Sequence, residues 1–131
     1  MSQPISSLMH REVQTFDMDT TIADVERALV ERRLSWAPVR GDGGGILGVI
    51  SAPDVARFHA EGRDAAASKA WQLCTYKPIT ARPDESLQDV ARRMVDHHVH
   101  HVVVVEKGGV VGVVSALDIV RLVASGQAGA G

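Results

Sequence analysis

The sequence has little of what a secreted, membrane-spanning or nucleic-acid-binding protein needs. Its 131 residues include one cysteine, Cys74. A single thiol cannot close an internal disulfide, so a reducing compartment is expected. Cys74 itself reads as a small buried hydrophobe rather than a nucleophile. No window approaches the roughly 20 apolar residues that span a bilayer. The start of the chain, Met1 to Val13, lacks a basic stretch followed by an apolar one, so no secretory signal is expected. A soluble, cytoplasmic protein with no membrane contact follows. Charge of one sign is missing too: 14 Lys and Arg face 16 Asp and Glu, for a net charge of −2. Duplex nucleic acid is bound by clustered cations that displace counterions, so no nucleic-acid partner is expected. The length is also too short for a complete TIM barrel, which needs about 250 residues. What is present is a core-forming composition, 45% hydrophobic and 23% charged. That suits one compact domain, or one domain built from two similar halves.

The sequence repeats itself. Shifted by 65 residues, Leu8 falls on Leu73, Thr15 on Thr80 and Asp19 on Asp84. In the same register Asp24-Val25 falls on Asp89-Val90, Val30 on Val95 and Val39 on Val104. After a one-residue gap in a glycine-rich loop, Gly48-Val49 matches Gly112-Val113, Ser51-Ala52 matches Ser115-Ala116, and Asp54 matches Asp118. The chain is one unit of roughly 55 residues, doubled.

Each copy predicts the same element order. A short apolar strand comes first, Val13 to Phe16 and Ile79 to Ala81. Thr21 and Ser86 each precede an acid by three residues, Asp24 and Asp89, which resembles a capping box at a helix start. Ile22, Val25, Ala28 and Leu29, and likewise Leu87, Val90, Ala91, Met94 and Val95, fall on one helical stripe. Two β-branched strands joined by glycines follow: Ala37–Val39 with Ile46–Ser51, and Val102–Val105 with Val110–Ser115. A second helix closes each copy, Pro53–Ala60 and Leu117–Ser125; Pro53 suits a first helical turn. The fold class is α+β, two βαββα repeats at residues 5–60 and 70–125. A linker spans 61–69 and a small polar tail, 126–131, is expected to be disordered. A 55-residue unit is marginal alone, so the two copies should bury their valine strands by pairing.

The segments Gly48-Val-Ile-Ser51-Ala-Pro-Asp54 and Gly112-Val-Val-Ser115-Ala-Leu-Asp118 carry the clearest chemistry. A strand ends in a hydroxyl and a helix opens on an acid. Unpaired N–H groups at a helix start attract anions. The Ser can meet a phosphate oxygen, and the Asp can accept two hydrogen bonds from a sugar diol. The alternative is purely structural: Ser51 caps the helix and Asp54 complements its dipole. The same spacing in both copies favours a ribose-phosphate reader.

These endings, the apolar-Pro-Val strand Ala37-Pro38-Val39 and the doubled element order resemble the CBS domain. Two such domains in tandem form a Bateman module, and the resemblance covers about residues 5 to 123. It implies a stand-alone regulatory, signal-transducing module whose repeats pair through their sheets about a pseudo-twofold axis. Adenosine-containing ligands of the AMP, ADP or ATP type would bind in the clefts between repeats. Asp54 and Asp118 would hold ribose, with Ser51 and Ser115 on the phosphate side. Thr15, Ala37 and Pro38 would line one adenine pocket, and Thr80, Val102 and Val103 the other. No cofactor is required, a homodimer is expected, and the protein partner is unknown.

Four of the six histidines crowd into His97-His98-Val99-His100-His101. A metal site would need His97 and His101 four apart on one helix, against the strand that the following valines demand. In the CBS-containing kinase gamma subunits that sense AMP, a His-Arg pair stands before the equivalent strand. By that resemblance His100 and His101 would face phosphate, where a bound anion raises their pKa. The third reading is a solvated helix end. In the first copy Ser35 and Trp36 stand in their place, and Trp36 would stack on a base or fill the pocket. No nucleophile triad or phosphate loop is present, so no catalysis is expected. The alternatives to ligand sensing are a scaffold with empty clefts and a metal sensor using His97 to His101.

Overall fold

The computed structural model describes residues 3–126. It divides into two compact units. One joins the N-terminal segment, up to Val13, to the chain from Ile79 onward; the other runs from Gln14 to Pro78. These units do not coincide with the two sequence repeats. The opening residues of each repeat belong to the unit built on the body of the other.

The Gln14–Pro78 unit contains β1 (Phe16–Asp17), α1 (Ile22–Glu31), β2 (Trp36–Arg40), β3 (Ile46–Ser51), α2 (Ala52–Ala60), α3 (Ala70–Leu73) and β4 (Thr75–Tyr76). Its sheet order is β1-β2-β3-β4, with β1 parallel to β2 and the other neighbours antiparallel. Thr21 starts α1 by accepting the Asp24 N–H, and Ile22, Val25 and Leu29 form the buried stripe. The core gathers these with Val39, Ile50, Phe58, Ala70 and Cys74. The first strand is shorter and later than the expected Val13–Phe16. Only Phe16 and Asp17 pair, with Val39 and Arg40, before the Asp17 carbonyl takes the Thr20 N–H and turns the chain. The linker is tied down: Ala65 and Ser68 carbonyls accept the Ala23 and Ile22 N–H groups, and Ser68 is buried.

The second unit contains β5 (Thr80–Ala81), α4 (Leu87–His97), β6 (His101–Glu106), β7 (Gly109–Ser115) and α5 (Ala116–Ala124), preceded by a 3-10 turn at Ile5–Ser7. The sheet order is β5-β6-β7. Ser86 accepts the Asp89 N–H to start α4. That helix ends at His98, whose φ of 54° is left-handed. Ile5 and Met9 complete a core with Val90, Met94, Val102, Val104 and Val114. The expected tail at 126–131 lies outside the described residues except for Gly126.

Ile5 and Ala70 stand 65 residues apart, as do Met9 and Cys74, so the exchange of opening segments is the same in both units. His10 bridges Val113 of β7, and Thr75 of β4 pairs with Val49 of β3. Gly48 and Gly112 permit these approaches. A Cβ at Gly48 would lie 2.3 Å from the Thr75 carbonyl oxygen and 3.1 Å from the Cys74 sulfur. At Gly112 it would lie 2.8 Å from the Met9 sulfur and 3.0 Å from the His10 oxygen.

Candidate functional site

The two Ser-x-x-Asp segments form reciprocal capping boxes. Asp54 N–H donates to Ser51 Oγ at 3.3 Å, while Ser51 N–H donates to Asp54 Oδ2 at 2.9 Å. Asp118 N–H donates to Ser115 Oγ at 3.1 Å, and Ser115 N–H to Asp118 Oδ2 at 2.8 Å. The Ala52 and Ala116 N–H groups donate to the Ser35 and His100 carbonyls. The expected unpaired amides at the helix start are therefore largely spent, and Pro53 has none to offer. An anion gains less from these helix ends than the sequence suggested. The Ser51 hydroxyl also donates to Asp54 Oδ2 at 2.8 Å. Turning it toward a phosphate breaks that bond.

Capping consumes one oxygen of each carboxylate and fixes its direction. The other oxygen, Oδ1, lies outside the cap. Asp54 Oδ1 meets Arg57 Nη1 at 3.5 Å, the far end of an exposed side chain on the same helix. Asp118 Oδ1 meets His10 Nε2 at 2.9 Å. The carboxyl side chains are 14% and 10% exposed, so neither faces bulk water. Burial pushes the Asp118 carboxyl up, but bonds from His10 and Ser115 outweigh it and hold the group below its ordinary range.

In the second unit, His101 lies directly across from Ser115. Burial pushes the His101 imidazole below its ordinary pKa, the neighbouring His100 adds to that, and Asp118 opposes it. Burial thus favours the uncharged form of the His101 ring. In the first unit Trp36 takes that place, across from Ser51. Pro38 and Val103 are buried but stand outside both core clusters, on the opposite sheet face from their neighbours. Ala37 and Val102 are core members, so their side chains do not share that face. Thr80 sits beside Val103 in the sheet; Thr15 is half-buried just before β1.

His97 ends α4 and His101 begins β6, with the left-handed His98 between them, so the two do not share a helix. Among the described residues no group of three His, Cys, Asp or Glu side chains gathers as a metal site would require. Burial raises the Cys74 thiol above its ordinary pKa, keeping it protonated. His10 is the site residue that sequence reasoning missed. Its signal was the 65-residue register, which aligns it with Thr75, two residues after the matched Leu8 and Leu73.

The CBS-domain family model matches residues 5–61 and 70–125. The chain belongs to the CBS-domain family. It carries two copies, and its fold is that of known CBS pairs. The CBS pair of protein MJ0100, solved with 5′-methylthioadenosine and S-adenosyl-L-methionine, matches with a TM-score of 0.85 at 24% identity, covering 96% of this chain and 99% of that one. CBSX2, solved in complex with AMP, matches with a TM-score of 0.83 at 22% identity, covering 95% and 98%. Homoserine O-acetyltransferase of Methanococcus vannielii is 27% identical over 120 residues, or 91% of this chain and 24% of that protein. The chain thus spans about a quarter of the acetyltransferases it matches and 44% of another relative from Methanocaldococcus jannaschii. CBS pairs are generally regulatory rather than catalytic. Among the described residues, no helix is long and apolar enough to cross a membrane.

Proposed function

We propose that this CBS pair is a regulatory module for adenosine-containing ligands of the AMP, ADP or ATP type, with Asp54 and Asp118 as the ribose acceptors. The observation that carries the reading is the doubled capping geometry. Each carboxylate is fixed through Oδ2, which leaves Oδ1 outside the cap, held by the long Arg57 contact at Asp54 and by the His10 ring at Asp118. A sugar diol needs a charged acceptor that is already oriented, because charge-assisted bonds are the stronger ones. The relatives solved with AMP and with S-adenosyl-L-methionine support the ligand class. Pro38 with Thr15, and Val103 with Thr80, are the adenine-side groups that fit best. His100 and His101 are the phosphate-side groups; an anion beside His101 reverses its depressed pKa. Ser51 and Ser115 serve phosphate only at the expense of their caps.

Occupancy is reported to a protein partner, and two copies associate through the helices of the second repeat. α5 leaves Leu117, Val120 and Val123 exposed. With α4 it borders an apolar groove of about 640 Å³ lined by Met94, Val95, Val99, Ile119 and Val120 among others.

Calorimetric titration with AMP tests the ligand reading. The parent chain should bind, and the double variant Asp54→Asn/Asp118→Asn should not, while both unfold at similar temperatures. Equal affinity in parent and double variant would exclude the ribose assignment. Failure of the parent to bind AMP, ADP or ATP leaves the scaffold alternative.

A further inference from the structure

We propose that His10 makes the two ribose acceptors unequal by occupying Asp118 Oδ1, so that a ligand must displace its imidazole there but meets no such competitor at Asp54. This rests on the ribose reading above and adds a residue to it. His10 is held by its backbone: its N–H donates to the Val113 carbonyl at 2.9 Å and its carbonyl accepts the Val113 N–H at 3.0 Å. Gly112 lets it come that close. The ring then reaches Asp118 Oδ1 at 2.9 Å, with the His10 side chain 62% exposed and the carboxylate 10% exposed. The competing group is thus hinged on a fixed backbone and free to swing outward. The corresponding residue of the other unit is Thr75, paired with Val49 as His10 is with Val113. A threonine is too short to substitute for the imidazole's reach. At Asp54, Oδ1 instead meets Arg57 at 3.5 Å.

The test uses the full chain and AMP, with each site isolated by removing the other. Asp54→Asn leaves the Asp118 site, and Asp118→Asn leaves the Asp54 site. Adding His10→Thr to Asp54→Asn should tighten AMP binding by roughly three- to tenfold, the worth of one net hydrogen bond. Adding it to Asp118→Asn should change nothing. In the parent, the His10 ring resonances should shift on AMP saturation toward those of the Asp118→Asn protein, because both have lost the same bond. Equal or weaker binding in the Asp54→Asn/His10→Thr protein overturns the competition and leaves the ribose reading intact. If Asp54→Asn binds AMP no better than the double Asn variant, the ribose reading fails at Asp118, and this proposal fails with it.

Discussion

His10 and Thr75 hold the same place in the two units, His10 in a bridge to Val113 of β7 and Thr75 in β4 opposite Val49 of β3. They are also 65 residues apart in the sequence, the spacing of the repeat. Each belongs to the opening segment of its own repeat and completes the unit formed by the other. The duplication therefore produces two similar capped segments with different neighbours: an imidazole bonded to Asp118 in one unit, and a threonine at the matching position of the other.

The two glycines that admit these segments should not be equally replaceable. Gly48→Ala drives a Cβ into backbone, the Thr75 carbonyl, which cannot yield without breaking the β3–β4 pairing. Gly112→Ala first meets the Met9 sulfur, the end of a flexible side chain, although the His10 carbonyl is also tight. Gly48→Ala should cost about 1–3 kcal/mol or more, and Gly112→Ala less. Urea unfolding midpoints measure both. The reverse order would mean that the His10 segment is the more rigid of the two.

The strand–helix–strand–strand–helix order and the capping residues were legible because they depend on local chemistry: a hydroxyl before an acid, a 3.6-residue stripe, valines around glycine; α3 and β4 were not. The length of the first strand was not, since the sequence shows apolar residues at 13–16 but not the turn at Asp17–Thr20 that ends pairing. The exchange of opening segments was hidden for a different reason. Leu8 and Leu73 marked the register, but nothing local says which body Ile5 or Ala70 will enter. The roles of Gly48 and Gly112 depend on that answer. At the site, Ser51 and Asp54 were read as either cap or ligand contact. The geometry makes them a cap through Oδ2 and leaves Oδ1 outside it, a distinction between two atoms that no sequence pattern carries.

Capping and ligand binding should therefore separate by substitution. Ser51→Ala removes the acceptor for the Asp54 N–H and should cost about 1 kcal/mol of stability. It should leave AMP affinity nearly unchanged, because Oδ1 is untouched. Asp54→Asn retains an oxygen for the Ser51 N–H and should cost less stability while removing one AMP site. Thermal unfolding paired with calorimetry measures both. Loss of AMP binding in Ser51→Ala with little loss of stability would move the ligand contact to the hydroxyl.

Acid should act through Glu85. The bond from Arg93 is the largest influence on its carboxyl and lowers it below the ordinary value of 4.5, against opposition from burial. The Arg93 guanidinium also donates to the Thr80 carbonyl, tying α4 to β5. A carboxyl whose folded pKa is depressed contributes stability above its unfolded pKa and loses it as pH falls through the folded one. His101 adds to the slope in a higher window: with its folded pKa below 6.5, its contribution is complete above that value and fades as pH falls through it. Glu85→Gln should lower stability at pH 7 by roughly 1–3 kcal/mol and flatten the loss below pH 4.5. His101→Gln should flatten the slope below pH 6.5 alone. Unfolding free energies measured from pH 3 to 8 give both slopes.

Association of two copies should depend on the second repeat and not the first. α5 has no fully buried residue, although Leu117, Val120 and Val123 are all large and apolar. The matching surface of the first repeat is more charged: a hollow beside α1 is lined by Glu26, Arg27 and Glu31 along with Ala23 and Val30, and Glu26 pairs with His59 of α2. A helix face of the first kind gains by excluding water, at about 25 cal/mol per Å² of apolar area, whereas the second loses hydration of its ions. The contact should therefore be like with like, each α5 against the α4–α5 groove of the other copy, as a twofold requires. Val120→Glu would place a charge in that contact and should shift the protein to monomer in sedimentation equilibrium. Val30→Glu, on the first repeat, should not. If the parent chain sediments as a monomer at tens of micromolar, well above a dissociation constant of about 1 μM that would correspond to some 8 kcal/mol, the apolar face of α5 is not a self-association surface.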